Sequence, residues 1–346
     1  MVKLGIVGGG QLASMLCQAA KKISVQTTVF ADDKNSPAQH FADNFIYANY
    51  EAEKSLTDFA NQVDFITYEF ENIPFETLNH LSKLCEVNPN PRINQIVQNR
   101  LSEKQFINKL GLKTVDYKFV QSLEDLNKGS ALLPGILKTT RMGYDGKGQF
   151  VINSIPDIKN ININFQNEYI LEKKIKLKKE ISIVITRYKS NQTSIYEPIE
   201  NTHNNQILSE SIIPSSVSET IKTTATTAAQ KLTEELEYIG TMCVEFFIDN
   251  KDNLYINEIA PRVHNSGHLT INTHNVSQFE NHVRAVCDLE FVPLKKIHNA
   301  KMINILGSEI LKYKNKKLNA NEFFFDYLKK EAKPNRKMGH LTIVTD

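Results

Sequence analysis

Strand-like and helical segments alternate through the first hundred residues of this 346-residue chain, and that alternation most constrains its fold. Parallel strands cannot be joined by a tight turn; each pair needs a crossover of a dozen or more residues, usually a helix. The apolar run Val2–Val7 is followed by glycines and an amphipathic stretch from Gln11 to Lys22, then by the β-branched run Thr27–Phe30. A short run at Asn44–Ala48, a helical stretch from Glu51 to Gln62, the strand-like Asp64–Tyr68 and a helix from Pro74 towards Cys85 continue the pattern. The spacing predicts a parallel, doubly wound sheet. Asn88–Arg92 (NPNPR) is a turn-rich break before helical patterns over Ile93–Leu110, closed by Gly111 as glycine commonly closes a helix.

The texture changes near Leu112. Gly135–Lys138 and Gln149–Asn153 read as two strands joined by TTRMGYDGKG, and Glu168–Ile170 and Ile181–Ile185 as further strands around the lysine-rich KKIKLKK. One long helical segment, Ser216 to Ile239, ends at Gly240; Met242–Ile248 and Leu254–Ile259 flank the turn DNKDN. Val276–Asp288 is helical, and Lys301–Asp346 is a basic, mixed segment. The expected division is a nucleotide-fold-like domain over 1–110, an antiparallel lid over 111–186, an antiparallel α+β body over 187–300 and a small C-terminal segment over 301–346.

Composition narrows the function. Lys plus Arg number 41 against 39 for Asp plus Glu, so no global basic field points to nucleic acid. Cys17, Cys85, Cys243 and Cys287 lie far apart without a C-x-x-C pair, which fits neither a disulfide framework nor a zinc ribbon and suits a reducing compartment. No run approaches the ~20 apolar residues of a membrane span. MVKLGIVGGG is too short and glycine-rich for a signal-peptide core. A cytoplasmic, multidomain α/β enzyme is the expected class.

Gly8-Gly9-Gly10-Gln11-Leu12-Ala13 fits G-x-G-x-x-[GA] at a strand-to-helix turn, with Asp32 about 20 residues on, where a ribose-binding acid would sit. Such glycines let an anion approach backbone N–H groups at a helix N-terminus. A dinucleotide-dependent dehydrogenase is one reading; a plain tight turn is the other. Nothing downstream supports hydride chemistry.

Other motifs carry more chemistry. Lys138 ends a strand, and Gly143-Tyr144-Asp145-Gly146-Lys147-Gly148-Gln149 follows; a hairpin tip with three glycines can fold flat over phosphates while the strand lysine reaches them. In the hairpin CVEFF…LYINE, a turn over Asn250–Asn253 pairs Asp249 with Leu254 and sets Glu245 directly opposite Glu258. Two carboxylates across a strand pair repel, and are tolerable with a divalent cation between them; oxygen ligands beside phosphates indicate Mg²⁺. Asn257 points nominally to the other face and needs a local twist to join them. The loop IAPRVHNSGH follows; His264 and His268 find no third zinc ligand. Lys173–Lys179 reads as a solvated strand edge, and the basic segment from Lys329 to His340, punctuated by Pro334 and Gly339, as a loop that can clamp a phosphate.

In order from residue 8 to residue 340, GGGQL, TYEFENI, RLSEKQF, GYDGKGQ, LEKKI followed by Glu180, NEIAPRVHNSGH and RKMGH closely resemble the N5-carboxyaminoimidazole ribonucleotide synthetases, ATP-grasp enzymes of de novo purine synthesis. Ala13-Ser14, Lys147 and Lys333 depart from the usual Gly-Arg, Arg and Arg. The resemblance implies an ATP-grasp fold, α/β and α+β, with an N-terminal Rossmann-like (pre-ATP-grasp) domain, an antiparallel lid and a C-terminal antiparallel body. ATP would lie between lid and body, touching Arg100, Lys138, Gly143, Tyr144, Asp145, Gly146, Lys147, Gly148, Gln149, Glu172, Lys173, Lys174, Ile175, Glu180, His203, Asn257 and Glu258. Glu245 and Glu258 would hold Mg²⁺. The aminoimidazole ribonucleotide would meet Tyr144, Asp145, Lys147, Arg262 and His264, with Lys329 and Arg336 on its 5′-phosphate and either Glu69 or Glu71 facing it.

The implied reaction is ATP-dependent carboxylation of 5-aminoimidazole ribonucleotide by bicarbonate through carboxyphosphate, releasing ADP and phosphate. Lys138, Asp145, Lys147, Arg262 and His264 would carry the chemistry, with Asp145 and His264 as candidates to handle the proton. Relatives are commonly homodimers. Another ATP-grasp carboxylate–amine ligase and a nucleotide-binding module without turnover are the alternatives; the intact Lys138, Glu245, Glu258 and Arg262 argue against the latter.

Overall fold

The alternating first segment forms five parallel strands: β1 (Lys3–Val7), β2 (Gln26–Ala31), β3 (Asn44–Tyr47), β4 (Phe65–Tyr68) and β5 (Glu86–Val87), in the order β3-β2-β1-β4-β5. Helices α1 (Gln11–Lys22), α2 (Glu53–Ala60) and α3 (Phe75–Leu81) supply crossovers. Strand order reverses between β1 and β4, and open α/β sheets bind their ligands beyond the carboxyl ends of strands at such a point. Those two ends run directly into Gly8–Gly10 and Glu69. The computed structural model describes residues 1–141, 143, 148–161 and 163–345, with residues 159 and 160 by backbone alone.

The pattern over Ile93–Leu110 is two helices, α4 (Arg92–Val97) and α5 (Arg100–Lys109), because Asn99 caps the second: its side chain accepts from the N–H groups of Leu101 and Ser102 at 2.9 and 3.3 Å. A capping residue stands in extended conformation and so interrupts the helix. Arg100, Glu103 and Lys104 thereby fall on successive turns of one short helix.

Four antiparallel strands, β6 (Tyr117–Val120), β7 (Gly135–Thr139), β8 (Gln149–Ile152) and β9 (Tyr169–Lys173), form a second sheet in the order β6-β9-β7-β8. The third sheet is antiparallel and nine-stranded: β10 (Leu177–Arg187), β11 (Thr193–Ile195), β12 (Ile199–Asn204), β13 (Ile207–Ile213), β14 (Gly240–Asp249), β15 (Leu254–Ala260), β16 (Asn299–Leu306), β17 (Glu322–Asp326) and β18 (Lys337–Thr345). Its order is β15-β14-β10-β12-β13-β16-β18-β17, with β11 beside β10. The segment expected only as a basic, mixed stretch thus supplies three strands; interspersed Lys and Asn blur the apolar alternation of Lys301–Ile305.

The helix Glu219–Glu235 lays Ile221, Ala225, Ala229 and Leu232 on β10, β14 and β15, and Ile93 and Ile107 join the same core. It is shorter than the Ser216–Ile239 pattern, since Ser218 caps its start and Glu237, at φ 47°, turns the chain out of the helix. A second helix, Gln278–Val286, joins the first sheet to the third: Phe279, Val283 and Val286 share a core with Ala13, Leu16 and Ala20 of α1. At that junction buried His282 accepts from the Thr241 N–H at 3.0 Å and bonds Thr67 Oγ1 at 2.8 Å. No helix among the described residues is long and apolar enough to cross a membrane.

Candidate functional site

Glu245 and Glu258 face each other across β14 and β15, but by a route that plain counting misses. Ile248, not Asp249, pairs with Leu254; Phe246 pairs with Ile256; the register then shifts, and Glu245 meets Glu258. The turn is one residue longer than expected, and a bulge at Asn257 restores the register. Ile256 and Ile259 both enter the core under the helix Glu219–Glu235, with two residues between them instead of one. A one-residue slip turns every following side chain to the other face, and a bulge absorbs that slip. The bulge, rather than a twist, brings Asn257 beside Glu258.

Glu245 is not solvated surface, while the Glu258 side chain is 38% exposed. The Glu245 side chain is 14% exposed, and burial, then the charge of Glu258, pushes its carboxyl above the usual range. His264 Nε2 stands 3.3 Å from Glu245 Oε1, and Arg100 Nη1 donates to Glu258 at 3.2 Å. Arg100 also donates to the Gly143 carbonyl at 3.2 Å, and its N–H to the Thr140 carbonyl at 2.9 Å. The facing carboxylates could hold a divalent cation; among the described residues no group of three or more acidic, His or Cys side chains makes a fuller site.

A buried charge cluster adjoins them. Lys138 on β7 donates to Glu172 on neighbouring β9 at 2.7 Å, and Lys104 from α5 takes the other carboxylate oxygen at 3.2 Å. Burial alone would raise Glu172, but the two lysines bring it down to about 2; burial, only partly opposed by Glu172, lowers the Lys138 ammonium. Beside Lys104, Glu103 accepts from the Ile259 N–H at 2.7 Å, and burial followed by the charge of Glu258 pushes it up to about 8. Sequence reasoning missed Glu103 and Lys104. Their spacing of three and four residues from Arg100 on one helix face was the available clue.

Arg262 grips Glu71 through both guanidinium edges, Nη2 to Oε1 at 2.9 Å and Nε to Oε2. Glu69 instead turns into the start of α1, accepting from the Gly10 N–H and, at 2.8 Å, from the Ala13 N–H. A Cβ on Gly8, at φ +101°, or on Gly10 would stand 2.6 Å from Glu69. The glycines therefore make room for the protein's own carboxylate, which takes the helix terminus that a dinucleotide phosphate would need. Lys329 donates to Gln11 Oε1 at 2.6 Å and to the Lys337 carbonyl at 2.7 Å, so the C-terminal segment reaches the same corner. Gln11 was not expected there. Arg336 donates to the Glu331 carbonyl within its own loop at 3.1 Å.

Glu180 and His203 approach to 2.7 Å on adjacent strands; burial works against protonation of His203, but Glu180 outweighs it and raises the imidazole. Lys173, Lys174 and Ile175 form the link from β9 of the small sheet towards β10 of the large one. Gln149 pairs with Lys138, and Gly148 has φ +70°. Tyr144, Asp145, Gly146 and Lys147 lie outside the described residues. Arg100, Glu258, Glu245 and His264 are connected through the contacts above, Lys138 and Glu172 join them through Lys104 on α5, and Arg262 turns to Glu71.

An ATP-grasp domain model matches residues 105–279, a ribonucleotide synthetase preATP-grasp domain model residues 1–98, and a phosphoribosylaminoimidazole carboxylase C-terminal domain model residues 300–346. The N5-carboxyaminoimidazole ribonucleotide synthase of Staphylococcus aureus (strain COL) is 37% identical over 349 residues, taking in 99% of this chain and 92% of that protein. Among solved structures, N5-carboxyaminoimidazole synthetase from Staphylococcus aureus complexed with ADP superposes with a TM-score of 0.93 at 36% identity, covering 100% of this chain and 93% of that one. N5-carboxyaminoimidazole synthase from Aspergillus clavatus, in complex with ADP and 5-aminoimidazole ribonucleotide, gives a TM-score of 0.90 at 26% identity over 99% and 94%. Matched over nearly its whole length in sequence and in backbone, the chain belongs to the N5-carboxyaminoimidazole ribonucleotide synthase family of ATP-grasp proteins.

Proposed function

We propose that the chain carboxylates 5-aminoimidazole ribonucleotide with bicarbonate at the expense of ATP, giving N5-carboxyaminoimidazole ribonucleotide, ADP and phosphate. The observation that carries this reading is the double reach of Arg100, to Glu258 and to the Gly143 carbonyl, each at 3.2 Å. One guanidinium ties the glycine-rich loop to the paired carboxylates, which is where a terminal phosphate would be transferred. The relatives in complex with ADP and with 5-aminoimidazole ribonucleotide support the substrates.

Bicarbonate is a poor electrophile, because its oxygen is a bad leaving group; phosphorylation to carboxyphosphate makes it reactive towards the amine. Lys138 and Arg100 offset the phosphate charge, and the stretch from Glu172 to Ile175 contacts the nucleotide. Glu245 and Glu258 suit Mg²⁺, which takes one or two carboxylates and completes its shell with phosphate and water oxygens. Mg²⁺ bound there would neutralise charge on the phosphoryl oxygens. Arg262 and His264 orient the ribonucleotide, Lys329 and Arg336 take its 5′-phosphate, and Asp145 or His264 handles the amine proton. Carboxyphosphate decomposes in water, so closure of the lid protects it. ADP release measured with and without bicarbonate and the ribonucleotide tests the reading. Strong stimulation by the ribonucleotide is expected; equal turnover with unrelated amines would overturn the substrate.

A further inference from the structure

His264 is held more completely than a substrate-facing side chain needs to be. Buried Gln278 clamps its backbone from both sides: the Gln278 amide oxygen accepts from the His264 N–H at 2.9 Å and its Nε2 donates to the His264 carbonyl at 2.6 Å. The ring is fixed separately. Its Nδ1 lies 3.3 Å from the backbone N of Ser266 and 2.8 Å from the Ser266 hydroxyl.

A backbone N–H can only donate, so Nδ1 is an acceptor and carries no proton. That single fixed donor sets the direction of everything behind it. The Ser266 hydroxyl must also donate to Nδ1, so its oxygen accepts from Ser182, 2.8 Å away. Ser182 in turn accepts from Asn201 Nδ2 at 3.0 Å, and Asn201 Oδ1 accepts from the Ser211 hydroxyl at 2.8 Å. Ser182, Asn201, Ser211 and Ser266 are all buried, and Ser182 and Ser266 also lie against the Cys243 thiol. The one ring proton is therefore on Nε2, the nitrogen 3.3 Å from Glu245.

We propose that Ser266 is a positioning residue whose backbone N–H and hydroxyl together hold His264 as the Nε2–H tautomer, with Ser182, Asn201 and Ser211 hydrogen-bonded behind it. His264 then presents a donor to Glu245, and its only lone pair is spent on Ser266. The ring orients the carboxylate and does not take the amine proton. The kinetic consequence rests on the reaction proposed above; the tautomer does not.

The test is a long-range ¹H–¹⁵N correlation spectrum of the full chain labelled at histidine, without substrates, with His264 assigned as the ring missing in His264→Gln. A pyridine-like Nδ1 and a pyrrole-like Nε2 are expected, and the opposite pattern overturns the proposal. Ser266→Ala removes the 2.8 Å hydroxyl and leaves only the 3.3 Å backbone N–H on Nδ1, so the His264 ring nitrogens should shift towards a mixture of tautomers; an unchanged pattern overturns the role of the Ser266 hydroxyl. Should that variant fail to fold, Ser182→Ala removes the donor behind Ser266 and is read by the same shifts with the same two outcomes. In the ADP-release assay Ser266→Ala should lower kcat roughly tenfold, as losing a hydrogen bond behind a metal-binding group does, with the KM for ATP unchanged. Ser266→Thr, which keeps the hydroxyl, should restore it. An equal loss in Ser266→Thr would make Ser266 merely structural.

Discussion

Glu69 and Glu245 are both largely buried carboxylates that burial pushes upward, and they are treated in opposite ways. Glu69 is answered from within the protein: two backbone N–H groups of α1 hydrogen-bond it, and Arg262 and Lys329 stand near. Glu245 meets another carboxylate, Glu258, with His264 beside it; Arg100 answers only Glu258, and His203 and Lys337, which stand near, do not offset the burial and the Glu258 charge that raise Glu245. The first corner is closed and the second is left short of positive charge. A glycine-rich helix start that looks built for phosphate is filled by its own acid, while the proposed ligand site lies where the charge is incomplete. A local motif reports what a backbone could bind; charge balance reports what it still lacks.

The largest expected effect comes from relieving the incomplete corner. Glu258→Gln keeps the shape and removes one charge, so ATP cleavage should fall by more than about 100-fold, beyond the 10–100-fold that outer supporting groups cost. Without metal the variant should be no less stable than wild type, since a like-charge pair has gone. Melting with EDTA and with Mg²⁺ plus ATP separates the effects, because the variant should gain much less from ligand linkage. Full stabilisation by MgATP together with full activity would remove the pair from the site.

Next in size is Arg336→Ala. Losing a charge-assisted bond to phosphate costs about 1.5–3 kcal/mol, which should appear in the KM for the ribonucleotide and not in that for ATP. A rise in the ATP KM alone would assign this basic loop to the nucleotide. Opening the closed corner should act on stability instead. Glu69→Ala leaves the Gly10 and Ala13 N–H groups without their carboxylate, at about 1–2 kcal/mol by analogy with a lost N-cap. Urea unfolding measures it, and an unchanged midpoint would mean that the carboxylate does not hold the helix start.

The remaining effect is a pH slope. Glu103 rises from its ordinary 4.5 to about 8 through burial and then Glu258, so the folded chain holds more protons than the unfolded one between those values. Its contribution to stability is therefore present below about pH 4.5 and lost as pH rises towards 8. Glu103→Gln removes that dependence. Its urea midpoint relative to wild type should move upward between pH 5 and pH 8, and a constant difference would show that Glu103 does not titrate in this window.

Much of this molecule can be read locally. The five parallel strands follow from apolar runs spaced by helical stretches, and the facing of Glu245 and Glu258 follows from hairpin counting, although two offsetting one-residue errors, in the turn and at Asn257, lay behind it. The Asn99 cap that divides Ile93–Leu110 was also written in the sequence, as an Asn immediately before Arg100, but a continuous apolar pattern masked it. Strands β16, β17 and β18 were not read from the sequence, since Lys301 and Asn304 interrupt the apolar pattern of β16 and β17 is a five-residue run set between lysine-rich segments.

Periodicity, capping and turn chemistry are properties of neighbouring residues, and the sequence by itself determined the elements they govern and the acid pair on the hairpin. The tertiary structure decided which charges are answered. Glu71 meets Arg262 across 191 residues, Lys329 meets Gln11 across 318, and Lys104 finds Glu172 on another sheet. Burial sets the cost of each charge and distant partners set its compensation. Neither is present until the sheets have packed, so only the folded chain distinguishes the carboxylate that closes α1 from the carboxylates proposed to hold a metal.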